Sequence, residues 1–456
     1  MKRLVTLVLS AIILFACAPK AEKKDDKTAK KETIRDIISN ANIYEVNIRQ
    51  YTKEGTFNAF AKHLPRLKEL GVDILWLMPI YPVGQKNKKG DMGSPYAVKD
   101  YRTVNPDYGT MQDFKNLVNK IHEMGMYVIL DWVANHTAWD NKMIEEHPEW
   151  YTQKDGKIIM PVGTDWSDVA DLNYDNKELR KYMTGSFDFW LKKTNIDGFR
   201  CDVAGMVPTD FWNDAVTELK KTNKPFFMLA EAWEPALLEK AFDMCYGWDM
   251  HHLMNDIAKG KKTVADLDKY KAKLDTMYTK EDIVMNFITN HDENTWNGTI
   301  TERMGDAGKA FAVFTYTFPG MPLIYSGQEV GNNKRIKFFY KDEIDWNNPK
   351  KSELTPFYTK LNKFKTNNSA VANGKFGGDI IRIQNSENSK VYSFVREVKG
   401  NKVFTIINMS KELLDVTFKG EKQLDEYKEL FRGNKVKIEP NTKLKIEPWG
   451  YNVFVK

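Results

Sequence analysis

Gly198-Phe199-Arg200-Cys201-Asp202 and Phe226-Phe227-Met228-Leu229-Ala230-Glu231 are two apolar runs that each end on a carboxylate. Between them, Asp210 to Lys221 carries apolar residues at helical spacing, and Thr209 in front of it is a predicted N-cap. A strand, a helix and a second strand in that order form one crossover unit of a parallel sheet. The same alternation recurs outward in both directions. Ile43 to Ile48, Asp73 to Pro79, Tyr127 to Val133, Asp197 to Asp202, Phe226 to Glu231, Met244 to Trp248, Ile283 to Thr289 and Leu323 to Ser326 make eight predicted strands. Amphipathic stretches lie between them at Phe57 to Leu70, Met111 to Met124 behind a Thr110 cap, Lys177 to Lys193 and Arg303 to Phe318. Eight parallel strands predict an α/β fold closed into a (β/α)8 TIM barrel. An open dinucleotide-binding sheet is disfavoured, because no Gly-x-Gly-x-x-Gly follows an early strand.

Two segments break the rhythm. Residues 134–176 are too long for a plain βα loop and predict a small subdomain inserted after the third strand. The barrel then occupies 37–133 and 177–369. After Lys365 the texture becomes alternating strands with turn signals, at Ile380 to Gln384, Val391 to Val395, Val403 to Asn408 and Leu413 to Phe418. Residues 370–456 are therefore expected to form a C-terminal antiparallel β-sandwich.

The chain opens with Met-Lys-Arg, an apolar run from Leu4 to Ala16 and Leu14-Phe15-Ala16-Cys17. These are the parts of an export signal (1–17), and a small residue before Cys resembles a lipobox, with Cys17 as the lipidated residue. Residues 18–36, dominated at first by Lys, Asp, Glu and Ala, are expected to be a solvated tether. The reading is an exported lipoprotein, periplasmic or on the cell surface, held to a membrane by its anchor. Only Cys201 and Cys245 remain, too few for a disulfide framework. The net charge of +6 arises from 68 basic and 62 acidic residues with short surface Lys runs, so no nucleic-acid partner is indicated.

Active sites of such barrels lie at the C-terminal ends of the strands. Strand ends here carry Asp131 to His136, Arg200 with Asp202, Glu231, and Asn290-His291-Asp292. Arg200 and Asp202 are two apart, hence on one side of their strand, and a nearby guanidinium favours an ionised carboxylate. Glu231 emerges from a buried strand, where partial desolvation raises a carboxyl pKa as a general acid needs. Paired carboxyls suit retaining glycoside hydrolysis.

These motifs, in this order, resemble the α-amylase family of glycoside hydrolases, family 13, over residues 40–456. They are Asp131-Trp132-Val133-Ala134-Asn135-His136, Gly198 to Asp202, Glu231 and Phe287-Ile288-Thr289-Asn290-His291-Asp292. The resemblance implies Asp202 as nucleophile, Glu231 as acid/base and Asp292 as transition-state stabiliser. It implies Tyr96, His136, Arg200 and His291 as contacts of the sugar. The substrate implied is a starch-like α-glucan or maltooligosaccharide, cut mainly at α-1,4 bonds. Two alternatives use the same residues: a transglycosylase or isomerase, and an inactive glucan-binding lipoprotein.

No cofactor is required by this resemblance. Some members hold Ca2+ through residues matching Asn135 and Asp171, but the Lys-His pair that often accompanies the ion is replaced here by Ala204-Gly205-Met206. That replacement also points away from typical endo-acting α-amylases, toward maltogenic enzymes, neopullulanases and α-glucosidases. Trp132, Trp139, Trp233 and Trp296 lie near motif strand ends as possible sugar platforms.

Overall fold

The structure, a computed structural model, describes residues 33–222 and 224–456. The signal segment, Cys17 and most of the tether lie outside the described residues. Eight parallel strands close into a ring: β1 (Ile43–Val46), β2 (Ile74–Leu77), β3 (Tyr127–Val133), β4 (Gly198–Asp202), β5 (Phe227–Ala230), β6 (Met244–Tyr246), β7 (Ile283–Asn286) and β8 (Met321–Tyr325). Each strand pairs with its sequence neighbours, and the ring closes where Ile43 of β1 stands beside Leu323 of β8. The eight predicted strands are thus the eight observed ones, and the (β/α)8 class holds.

Alternation along the strands separates two cores. Ile43, Ile74, Ile129, Phe227, Leu229, Met244, Ile283, Met285, Met321 and Leu323 fill the ring. Tyr44, Leu75, Leu77, Val128, Leu130, Trp132, Phe199, Cys201 and Met228 face outward and pack in the helical layer. Residue 34 was expected in the tether. Instead Ile34–Ile37 form a helical turn, and Ile34 and Ile38 are buried with the strand-start residues, so they plug the N-terminal end of the ring. Extended toward the C-terminal ends, the inward rows turn polar at Glu45, Asp131, Arg200, Asp202 and Glu231. The barrel is filled by apolar layers below and by charge above.

Local chemistry explains where the predicted helices differ. Phe57 to Leu70 divides into Phe57–Ala61 and Leu64–Leu70, because Pro65 lacks an N–H and belongs to a first turn. Arg303 to Phe318 divides at Gly305 (φ +55) into Ile300–Met304 and Gly308–Thr317. Thr110 caps Met111–Glu123 in a reciprocal box with Asp113. Thr209 does not cap: it is the first helical residue, and Pro208 precedes it.

The inserted segment is an antiparallel pair, 136–138 against 169–171, enclosing a small hairpin of 153–154 and 157–158. Its turn residues, Asp155 and Gly156, both have positive φ, as a two-residue hairpin requires. The C-terminal residues form a six-stranded antiparallel sheet facing a two-stranded one, with Phe404, Ile406, Val416, Ile438 and Phe454 in the core between them.

Gly198 sets the spacing of β4 and β5. Its φ is +151°, and a Cβ there would lie 1.9 Å from the Phe227 carbonyl oxygen. Gly198→Ala is expected to lower stability by about 3 kcal/mol or more, since backbone rather than a side chain must yield. The urea midpoint of the variant measures this; a midpoint equal to that of the parent would show that the two strands separate without cost.

Candidate active site

The polar ends of the inward rows converge on one guanidinium. Arg200 is fully buried. Its Nη1 donates to Asp131 Oδ1 at 2.8 Å and to Asp202 Oδ1 at 3.0 Å, while Nε donates to the Tyr246 hydroxyl at 3.1 Å. Nη2 approaches Glu231 Oε2 to 2.7 Å as a charge contact off the hydrogen-bond line. The Trp76 ring lies 4.9 Å from the guanidinium carbon. One cation therefore serves three carboxylates on β3, β4 and the end of β5.

That charge balance sets the protonation. Burial lifts Asp202 and Glu231 alike, Arg200 opposes the rise, and repulsion from neighbouring carboxylates adds to it. The guanidinium beside Asp202 favours its ionised form, as expected from their spacing, but desolvation by burial works against it and is the larger effect. Because the two carboxyls share one cation, their titrations belong to the pair as a unit.

A turn after β4 locks the pair. Val203 sits in the left-handed region (φ 37°, ψ 46°), unfavourable for a β-branched residue. The conformation aims the Val203 N–H at Glu231 Oε2, 2.8 Å away, and the Ala204 N–H at the Glu231 carbonyl, 3.1 Å away.

The opposite side is a relay of hydrogen bonds. The Tyr96 hydroxyl donates to Asp131 Oδ2 at 3.0 Å and lies 2.8 Å from His291 Nε2. His291 Nδ1 meets Glu45 Oε1 at 2.5 Å, and Asp292 is 3.3 Å from Nε2. Asp292 lies beyond β7 in a loop, at the start of a π-helical turn, Glu293–Asn297, that Glu293 ties to the buried His251 at 2.9 Å. His136 is buried too, and desolvation holds its imidazole neutral, down to about 3.

Tyr96, His136, Asp202, Glu231, His291 and Asp292 line one cleft of about 580 Å³, with Arg200 beneath. Asn135 and Asp171 lie apart from it at the root of the insert. The Asn135 carbonyl accepts from Leu172 N–H at 3.1 Å, and Asp171 is hydrogen-bonded to Thr152. Calcium takes 6–8 oxygens. Among the described residues no group of three or more His, Cys, Asp and Glu that could hold a metal is present; amide and backbone oxygens are the other ligand types that calcium accepts. Of the four tryptophans, Trp132 is fully buried against Phe187 and is no platform, and Trp139 is partly covered by the insert. Trp233 and Trp296 are about half exposed, at 52% and 51%, and Trp296 lines the cleft. Glu45 and Trp76 escaped the sequence reading. Their only signal was period-2 position within otherwise apolar strands.

Residues 25–373 match the family model described as alpha amylase, catalytic domain. The chain belongs to the α-amylase family. This family member is 26% identical to alpha-amylase 3 of Dictyoglomus thermophilum, over 91% of this chain and 93% of that protein. It is 25% identical to alpha-amylase MalA of Haloarcula japonica over 81% of its own length, and spans 55% of that longer relative. Among solved structures, the noncanonic maltogenic alpha-amylase AmyB of Thermotoga neapolitana superposes with a TM-score of 0.83 at 30% identity, covering 91% of this chain and 98% of that one. The amylase-family chain is thus a glycoside hydrolase.

The His291 relay makes a pH prediction for this hydrolase. Burial pulls the imidazole down, but Asp292 and Glu45 outweigh it and lift it to about 9. A folded pKa above the unfolded value of about 6.5 contributes stability that is complete below that value and is lost as pH rises through 9. Glu45→Gln removes one of the two anions, so the alkaline loss of melting temperature should move to lower pH. Superimposable melting profiles for parent and variant between pH 6.5 and 9 would exclude the coupling.

Proposed function

We propose that the protein hydrolyses α-glucosidic bonds, mainly α-1,4, of starch-like glucans or maltooligosaccharides with retention at the anomeric carbon. The observation that carries this reading is that Asp202 and Glu231 meet two nitrogens of one buried guanidinium. Retaining enzymes need two carboxyls about 5 Å apart. Asp202 takes the aligned bond from Arg200 and is assigned as the nucleophile; Glu231, held by the Val203 N–H, is assigned as the proton donor.

In the first step an Asp202 oxygen bonds to the anomeric carbon as the glycosidic bond to the leaving oxygen breaks, and the Glu231 proton passes to that oxygen. In the second, water attacks the anomeric carbon, Glu231 takes its proton, and the bond to Asp202 breaks. Asp292 faces the sugar from the opposite loop and stabilises positive charge developing on the ring. Tyr96 lays an aromatic face against the sugar, while Arg200, His136 and His291 orient its surroundings and hydroxyls. The names of the amylase relatives agree with this substrate class.

Reducing-sugar release from soluble starch, pullulan and maltoheptaose tests the reading. Asp202→Asn should lower kcat by roughly 1,000-fold or more, with the variant still folded. Retained turnover in the variant would remove Asp202 from the chemistry. Products larger than the substrate, increasing with acceptor concentration, would assign a transglycosylase instead.

We also infer that the enzyme is exported and anchored through a lipid on Cys17, a reading supported by the Leu4 to Ala16 run and the Lys-rich segment behind it. Cys17→Ser should move the protein from the membrane fraction to the soluble one. An unchanged distribution counts against the anchor.

A further inference from the structure

The cleft is walled on the side away from Glu231. In a ring of eight strands β1 stands opposite β5. Loops after β8 and β2 therefore lie across the mouth from the one that carries Glu231. Within the loop after β2, residues 84–93 are fastened on both sides. Toward the insert, the Lys89 ammonium pairs with Asp168 at 3.1 Å and donates to the Asp165 carbonyl at 3.3 Å. Toward the loop after β8, the Met92 N–H donates to the Phe339 carbonyl at 2.9 Å, and Lys89 Nζ lies 6.0 Å from the centre of the Phe339 ring. Close approach here requires glycine: a Cβ at Gly90 (φ +61°) would fall 2.6 Å from Phe339 Cβ.

This wall stands close to the chemistry. Phe338, adjacent to Phe339, stacks parallel to Tyr96 with ring centres 6.0 Å apart. Lys89, Asp168 and Phe339 all border the same 580 Å³ cleft as the carboxylates. That volume is in the range of a site that holds a few sugar units. The polarity of the glucan follows from the proton donor. Glu231 protonates the departing oxygen, so the reducing-end part leaves on its side and the non-reducing part points toward the wall.

We propose that Lys89, Asp168 and Phe339 close the cleft beyond the sugar at Tyr96, so that the enzyme engages glucans by their non-reducing ends and releases short products. The proposal rests on the assignment of Glu231 as proton donor. It makes the Lys89–Asp168 bridge a specificity determinant and leaves the bond-breaking groups untouched.

The test uses the full chain and p-nitrophenyl maltoheptaoside, either free or capped by an ethylidene group on the non-reducing-end sugar. The parent should cleave the capped form at least about tenfold more slowly in kcat/KM than the free form. The double variant Lys89→Ala/Asp168→Ala should recover cleavage of the capped form and release longer products, while its circular dichroism spectrum and melting temperature report correct folding. Equal kcat/KM for the two substrates in the parent overturns the proposal, as does a folded double variant that still rejects the cap. Loss of free-substrate turnover in Asp202→Asn reports on the catalytic assignment separately, because that readout does not involve the cap.

Discussion

A guanidinium without access to water sits among three carboxylates, and the upper half of the barrel is organised around that imbalance. Arg200 alone could not be buried: an unpaired ion in a low-dielectric interior costs several kcal/mol. Asp131 neutralises it and is itself held by Trp76 and Tyr96 at 3.1 and 3.0 Å. Asp202 and Glu231 then share a cation that is already satisfied, so burial and mutual repulsion lift both carboxyls above the usual range. The same arginine also joins the ends of β3, β4 and β5, so the geometry of the site and the register of the strands depend on each other.

Much of this was legible in the sequence. Strand positions are written in runs of apolar residues, and a barrel presents its chemistry where those runs end, so Asp202 and Glu231 stood out as carboxylates terminating buried strands. Tyr96, His136 and His291 came through the order of motifs, and all three border the cleft. What stayed hidden has physical reasons. Glu45 and Trp76 lie inside strands that are buried on both faces, where no change of polarity marks which side is inward. Val203 looks like an ordinary strand residue, and only the three-dimensional demand for two N–H donors at Glu231 explains its left-handed backbone. Asn135 and Asp171 are joined through paired backbone at the root of the insert, a proximity that the sequence order of the two motifs does not reveal.

Helix breaks at Pro65 and Gly305 show the opposite limit. Periodicity alone extends an apolar stripe across them, because side-chain spacing carries no information about a missing N–H or a positive φ. Both residues lie in the outer layer, where a kink shifts a helix without disturbing the ring. Errors in the sequence reading consequently gathered in the surrounding helices and spared the strands that carry the acids.

Closure of the ring has a consequence for how the molecule is made. Ile43 must find Leu323 as a lateral partner, so the first strand waits with one edge open until almost the whole catalytic portion has been synthesised. Loop-closure entropy rises only slowly with length, but such distant pairing delays folding and leaves an open sheet edge exposed in the meantime. Assembly is therefore decided late, near residue 325, and a chain interrupted before that point would present an unfinished edge ready to associate with other chains.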